Sequence, residues 1–485
     1  MLHTTLSLML LAPLTAALVA LLVKHPPVAE AVNLMASIIV FACVITLPFS
    51  VQSNIEFLDG YVGIAPLSAW VLVCTGIVYL LASIYAVGYM RMLDETPRLP
   101  RFYALFAAFA LTMLLAPLMN NIGLYWIAIE LTTLVSTFLI GFEHEAEAIE
   151  AAWKYIMIVS AGISLALLGT IFLYWSGSMV LGPTYQMTWA ALQAIGPQLS
   201  QPVLLLAFLL MLIGYGTKVG LAPMHNWLPD AHSEGPAPVS VMLSGALLNT
   251  AMIGIVRFLA IADAAGIGPI CHAALIILGA VSLLVATLFI VRQNGVKRLM
   301  AYSSIEHMGV IALGFGFGGA YGIAGSLYHM LNHSLNKSLM FFGAGNAMRA
   351  YGSKNIGHIR AVAARFPVQG LIWLAGAIAI TGAPPFGLFL SEFSILRAGF
   401  HSVSVWAAYV MAILLIVIFI GFINQFRRMY DEPAEDTPPA MRSLSLWCTV
   451  PMAMAAAPLL AFGLWWPAAF WSYFRLIVSQ LGAGL

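Results

Sequence analysis

The sequence predicts an all-α integral membrane protein with about fourteen transmembrane helices, two of them broken. Three observations carry that prediction. Of the 485 residues, 62% are hydrophobic and only 8% are charged, which lies outside the range of soluble domains. The apolar residues gather into blocks of about 20, the length that crosses ~30 Å of hydrocarbon at 1.5 Å per residue. Prolines interrupt two of these blocks, and each interruption sits beside a buried charge.

In chain order, block one (3–24) starts with neither a basic segment nor a cleavage site, and reads as a span and not a signal peptide. Blocks two to six follow at 32–51, 63–89, 102–119, 121–142 and 151–175. The run EHEAEAIEAAWK, from Glu143 to Lys154, reads as a solvated loop and helix start, with Lys154 snorkelling to the surface. Block seven covers 203–222. After it, PMHNWLPDAHSEGPAPVS holds His225, Asp230, His232 and Glu234, and reads as a turn-rich cytoplasmic cap in preference to a metal site. Blocks eight to fourteen lie at 237–262, 269–291, 298–317, 320–347, 367–399, 403–425 and 445–464. The tail WWPAAFWSYFRLI, rich in aromatic residues, suits a membrane interface.

Basic residues set the orientation. Loops after odd-numbered blocks hold Lys24, Arg91, Arg98, Arg101, Lys154, Arg292, Lys297, Arg298, Arg349, Lys354, Arg360, Arg365, Arg427, Arg428 and Arg442, and the even loops hold almost none. The positive-inside rule makes the odd loops cytoplasmic, so both termini are expected outside, in the inner or plasma membrane of a prokaryote.

Cys43, Cys74, Cys271 and Cys448 are scattered singly through apolar segments, without a CxxC pair. Ligation of an iron–sulfur cluster by this chain is not expected, and neither a Walker motif nor a dinucleotide fingerprint is present. No cofactor, redox centre or nucleic-acid partner is assigned to the chain. Its driving force must come from an ion gradient or from partners.

The informative residues are the buried charges. A charge at the bilayer centre costs ~2.5–3.5 kcal/mol on insertion scales, so an ionisable residue there signals function. Lys218 lies in PVLLLAFLLMLIGYGTKVGLAP, five residues before Pro223, and Glu392 follows Pro384 and Pro385 in the twelfth block. Each proline lacks an N–H and clashes with the carbonyl four residues earlier, so the helix breaks there. Breaks at matching positions of two halves point to an inverted repeat with a site at the midplane.

In block eleven, SLYHMLNHSLNKSLMFF places His329, His333 and Lys337 at four-residue spacing on one helix face, about 6 Å apart from one to the next. Titratable groups in such register read as a water-linked proton relay. Zinc is not expected, because no carboxylate or thiolate in the same run completes a tetrahedral set. Glu130, flanked by Thr132, Thr133, Ser136 and Thr137, is a candidate partner for Lys218. Separating that pair should push a proton off the lysine. Glu306 and His307, about two turns into block ten, are candidates for a cytoplasmic gate.

Four collinear runs, KVGLAPMHNWLPDAHSEGPAPVSVMLSG (218–245), VKRLMAYSSIEHMG (296–309), HMLNHSLNKSLMFFGAGN (329–346) and GAPPFGLFLSEF (382–393), resemble the antiporter-like membrane subunits of complex I, membrane-bound hydrogenases and multi-subunit cation/proton antiporters. The resemblance covers nearly the whole chain. It implies fourteen spans, with helices 1–3 at 1–101, a first five-helix repeat at 102–262, an inverted second repeat at 269–425, and helix 14 with the tail at 445–485. It also implies a path through Glu130, Lys218, His329, His333, Lys337 and Glu392. Eighth helices of this type often carry a lysine where this chain has Asn249, so the link from Lys218 to the centre must run through water or Asn249. Asn249 and the Glu306 of SSIEHMG are most similar to the component F branch of hydrogenase-4 and formate-hydrogenlyase-type complexes.

The function this implies is proton translocation by one membrane subunit of a multi-subunit redox complex, of hydrogenase or NADH dehydrogenase type. Other membrane subunits and a peripheral redox module carrying iron–sulfur and nickel–iron centres would be its partners, with protons as cargo. A gradient-driven Na⁺/H⁺ antiporter subunit and a non-conducting scaffold are the competing readings. Sodium prefers oxygen ligands, which a lysine-centred path supplies sparsely. A scaffold gains nothing from the insertion cost of buried charges.

Overall fold

In hydrocarbon every backbone N–H and C=O must find its partner within the segment, so each apolar block winds into helix and stops only where a turn or proline forces it. A computed structural model of the chain describes residues 2–93, 96–431 and 444–482; Arg442 lies outside them. Helices α1 (Leu2–Val23), α2 (Pro26–Ser50) and α3 (Pro66–Met90) come first, with a short antiparallel hairpin of β1 (Ile55–Phe57) and β2 (Val62–Ile64) before α3. Next are α4 (Leu99–Leu115), α5 (Ile122–Ile140), α6 (Ala146–Leu181) and a short surface helix, α7 (Trp189–Ala194). The Asn121 side chain caps α5 by accepting from Leu124 N–H at 3.1 Å.

The seventh span is two half-helices, α8 (Gln201–Val219) and α9 (Trp227–Glu234). The eighth is continuous from α10 (Ala237–Met242) through a π-helical turn (Leu243–Leu247) to α11 (Leu248–Ala264). Then come α12 (Gly268–Ile290), α13 (Val296–Phe317) and the 33-residue α14 (Gly319–Tyr351). A one-turn α15 (Val362–Arg365) leads into the halves of the twelfth span, α16 (Pro367–Ile380) and α17 (Gly387–Phe400). α18 (Val405–Arg427), α19 (Leu446–Leu464) and α20 (Ala468–Gln480) complete the described chain.

Eleven of these spans are long and apolar enough to cross a membrane unaided. α13 and α14, more polar, and the broken pair α16–α17, each half only 14 residues, bring the total to the expected fourteen. The chain is a multi-pass membrane protein. Its outer helices present apolar side chains to lipid, such as Phe49 and Ile420, while α3, α10–α11, α13 and α14 are almost wholly buried.

The two breaks share one construction. Each opens on a glycine at positive φ, Gly220 (+83°) and Gly382 (+66°), with a cis proline three residues on, Pro223 and Pro385. At the first break the Trp227 indole donates to the freed Thr217 carbonyl at 2.8 Å, and Ala222 N–H donates to Ser282 Oγ of α12 at 2.9 Å. Those contacts let the helix restart. The segment read from sequence as a turn-rich cap is therefore the second half of the span: Pro223 interrupts the seventh helix without ending it, and His232 is buried. The β hairpin and α7 have no counterpart in the sequence reading.

Candidate functional site

The first cell of buried polar groups forms where α5, α6 and α8 meet. Lys218, one residue from the end of α8, is fully buried. Its ammonium donates to Thr133 Oγ1 and Tyr155 Oη, both at 2.8 Å, and lies 5.1 Å from the Tyr155 ring centroid. Ser136 Oγ spends its hydrogen on the Thr132 carbonyl at 2.6 Å, so at 2.7 Å it accepts from the Tyr155 hydroxyl. Thr133 in turn donates to Glu130 Oε2 at 3.3 Å, and Ser160 donates to Oε1 at 2.7 Å.

Glu130 and Lys218 thus share a hydroxyl instead of forming the direct ion pair that the sequence suggested. Three residues along α5 bring Thr133 round to the same face as Glu130, one turn closer to the lysine. Glu130 is only half-buried, beside the exposed Ile127, Leu131 and Leu134.

The second cell lies on α13, α14 and α17. His307 Nδ1 is 3.0 Å from His329 Nε2, and His329 Nδ1 is 2.9 Å from Ser391 Oγ. Ser391 donates to the Leu388 carbonyl at 2.8 Å, so it accepts from His329 Nδ1–H. His329 Nε2 then carries a lone pair and accepts from His307 Nδ1–H. The result is a directed line of hydrogen bonds from His307 through His329 to Ser391. Glu392, the next residue, is 5% exposed, and its Oε1 has no partner among the described residues.

His307 lies 11 residues into α13, roughly 16 Å along the axis, which is halfway along that helix. Glu306 and His307, read from sequence as candidates for a cytoplasmic gate, therefore lie midway along α13. His333 stands 5.5 Å ring to ring from His307, with neither nitrogen hydrogen-bonded among the described residues. Lys337 donates to the Met300 carbonyl at 3.1 Å and to Ser303 Oγ, and lies within electrostatic range of Glu306. Asn249 donates to Ser334 Oγ at 3.1 Å, tying α11 to α14 one residue beyond His333.

Between the cells no direct hydrogen bond joins Lys218 to the residues of α13, α14 and α17 among the described residues. His232 of α9 sits in that interval, fully buried against Phe341 and within electrostatic range of Lys297 and Lys337. Lys297 itself caps the end of α9, donating to the carbonyls of Ser233 (3.0 Å) and Gly235. At the adjoining surface Lys354 bonds Glu234 at 2.6 Å and Glu145 at 3.5 Å, and Asp230 meets Arg298 at 2.9 Å and Lys154 at 3.3 Å. Partial burial lowers the Lys354 ammonium, but Glu234 and Glu145 hold it above its ordinary range.

The structure thus gathers Glu130 with Lys218, and His329 with His333, Lys337, Glu392, Glu306, His307 and Asn249. Sequence reasoning missed Tyr155, Ser160, Ser391 and the buried placement of His232. Only the recurrence of hydroxyl residues near charges could have signalled the first three.

Residues 119–421 match the family described as "NADH:quinone oxidoreductase/Mrp antiporter, TM". The chain is 39% identical over 355 residues to the hydrogenase-4 component F homolog of Methylacidiphilum infernorum, covering 72% of this chain and 74% of that protein. It is 29% identical over 414 residues to NADH-quinone oxidoreductase subunit N of Desulforudis audaxviator, covering 83% and 80%. A chain of the archaeal membrane-bound sulfane sulfur reductase has the same fold, with a TM-score of 0.88 at 21% identity over 98% of this chain and 97% of that one.

Proposed function

The chain belongs to the NADH:quinone oxidoreductase/Mrp antiporter family of membrane subunits, and we propose that it translocates protons as one membrane subunit of a multi-subunit redox complex of hydrogenase type. The observation that carries this reading is the pair of hydrogen-bonded cells, Glu130–Thr133–Lys218 and His307–His329–Ser391, held inside apolar spans that lose energy by burying them. A proton released when the Glu130–Lys218 link is disturbed passes over water, His232 and Asn249 to His333 and Lys337. It then leaves through His307, His329 and Glu392.

Electron transfer takes place on partner subunits bearing iron–sulfur and nickel–iron centres. Another membrane subunit covers the half-exposed Glu130 flank of α5 and senses that chemistry there. Five-helix repeats at 102–262 and 269–425, the second inverted, account for the matched glycine–proline breaks. We place the chain in a prokaryotic plasma membrane with both termini outside, as its basic loops favour.

The Mrp part of the family favours a second reading, a gradient-driven antiporter subunit. One experiment separates the two: mild-detergent purification from native membranes, with mass spectrometry of co-purifying chains and metal analysis. Nickel and iron with a hydrogenase large subunit support the redox-driven pump. Recovery with small membrane subunits alone and no metal supports the antiporter.

A further inference from the structure

The carboxylate that the sequence of α14 lacks is supplied from another helix. His307 of α13, His329 of α14 and Glu392 of α17 each offer one ligand atom, and these atoms all lie within 4.8 Å of one another. All three residues are buried, and two of the groups keep an atom with no partner among the described residues, His307 Nε2 and Glu392 Oε1. We propose that His307, His329 and Glu392 form a binding site for a divalent transition-metal ion, Zn²⁺ by preference, at the centre of the buried path.

Two imidazoles and a carboxylate are the donor set that suits zinc, with a fourth position left for water. Ser391 already holds the Nδ1–H of His329, which fixes the tautomer whose Nε2 carries the lone pair that would ligate. His307 ligates through Nδ1 once its proton moves to Nε2, the atom that now has no partner. Zinc bonds of about 2.0–2.1 Å in a tetrahedron put ligand atoms roughly 3.3 Å apart. The shell must therefore contract from its widest separation. Glu392, an unclamped carboxylate on a flexible side chain beside Gly382, can make that movement.

The neighbouring charges are of both signs, and Lys337 is within electrostatic range of both histidines. Lys337 stands eight residues from His329, about 12 Å along α14, and Glu306 lies next to His307. Of the three ligands Glu392 is the least enclosed, at 5% exposed, and both histidines are closed off. An ion seated here takes up the His329 lone pair that accepts from His307, so it plugs the path. The binding claim itself stands whether or not protons cross this point.

The test uses the full-length chain purified in detergent and titrated with Zn²⁺ against a chelator of known affinity. The zinc X-ray absorption fine structure is recorded on the wild-type protein. The proposal expects one ion per chain with two imidazoles in its shell, and at least tenfold weaker binding in each of His307→Gln, His329→Gln and Glu392→Gln. Unchanged affinity in these variants overturns it. So does a wild-type shell with fewer than two imidazoles, a result that stands even if a variant fails to fold.

Discussion

Thr133 stands between Glu130 and Lys218: the lysine ammonium donates to the threonine hydroxyl at 2.8 Å, and that hydroxyl donates onward to the carboxylate at 3.3 Å. A hydroxyl can accept and donate at once, so Thr133 links two ionisable groups that do not touch.

Replacing Thr133 should therefore weaken coupling without dismantling the fold. Thr133→Val keeps the shape and removes the bridge, and should slow proton translocation by roughly tenfold, the worth of about one buried hydrogen bond. Thr133→Ser should restore at least half of the wild-type rate. Proton uptake by reconstituted complex, with assembly checked by gel filtration, measures both.

Ser391 fixes the tautomer of His329 by accepting its Nδ1–H. Ser391→Ala leaves that donor buried and unpaired, at a cost of ~1–3 kcal/mol. The variant should unfold at lower temperature and translocate protons about tenfold more slowly, whereas Ser391→Thr should stay within about twofold of wild type. Equal behaviour of the two variants would remove Ser391 from the line.

Gly382 opens the second break at φ +66°, and a Cβ there would meet Glu392 Oε2 at 1.9 Å. Gly382→Ala should both strain the backbone and displace the carboxylate, destabilising by on the order of 1–3 kcal/mol. Gly220→Ala, at φ +83° with Leu228 Cδ1 at 2.4 Å, should cost a similar amount. Thermal unfolding in detergent reads both, and a melting temperature unchanged in either variant would contradict the shared construction of the breaks.

The ion pair of Lys354 with Glu234 lies at the surface, where solvent weakens it. Glu234→Gln should change stability by no more than about 1 kcal/mol and leave translocation unaltered. A larger thermal shift would mean that the end of α9 depends on this pair more than on Lys297.

Much of this was legible in the sequence because lipid leaves few choices. Apolar length gave the fourteen spans, and Pro223, Pro384 and Pro385 gave the breaks. Burial of charge in apolar runs pointed to Lys218, His329, His333, Lys337 and Glu392. What was not legible depends on contacts between helices. Tyr155, Ser160 and Ser391 are ordinary residues in their own helices and gain a role only when α5, α6, α8 and α17 bring them to a charge. His232 looked solvated because the polar run around it resembles a loop, although Trp227 and Ser282 hold the break closed and let α9 re-enter the protein. A search for metal ligands along α14 alone could not see Glu392 arriving from α17.

The most direct test is vectorial proton movement by the intact complex in sealed proteoliposomes, followed with an internal pH dye while the partner subunits turn over. Wild-type complex should change the internal pH, and Lys218→Met should abolish that change by more than tenfold with its subunits still assembled. Full proton movement in the Lys218→Met complex would contradict the account.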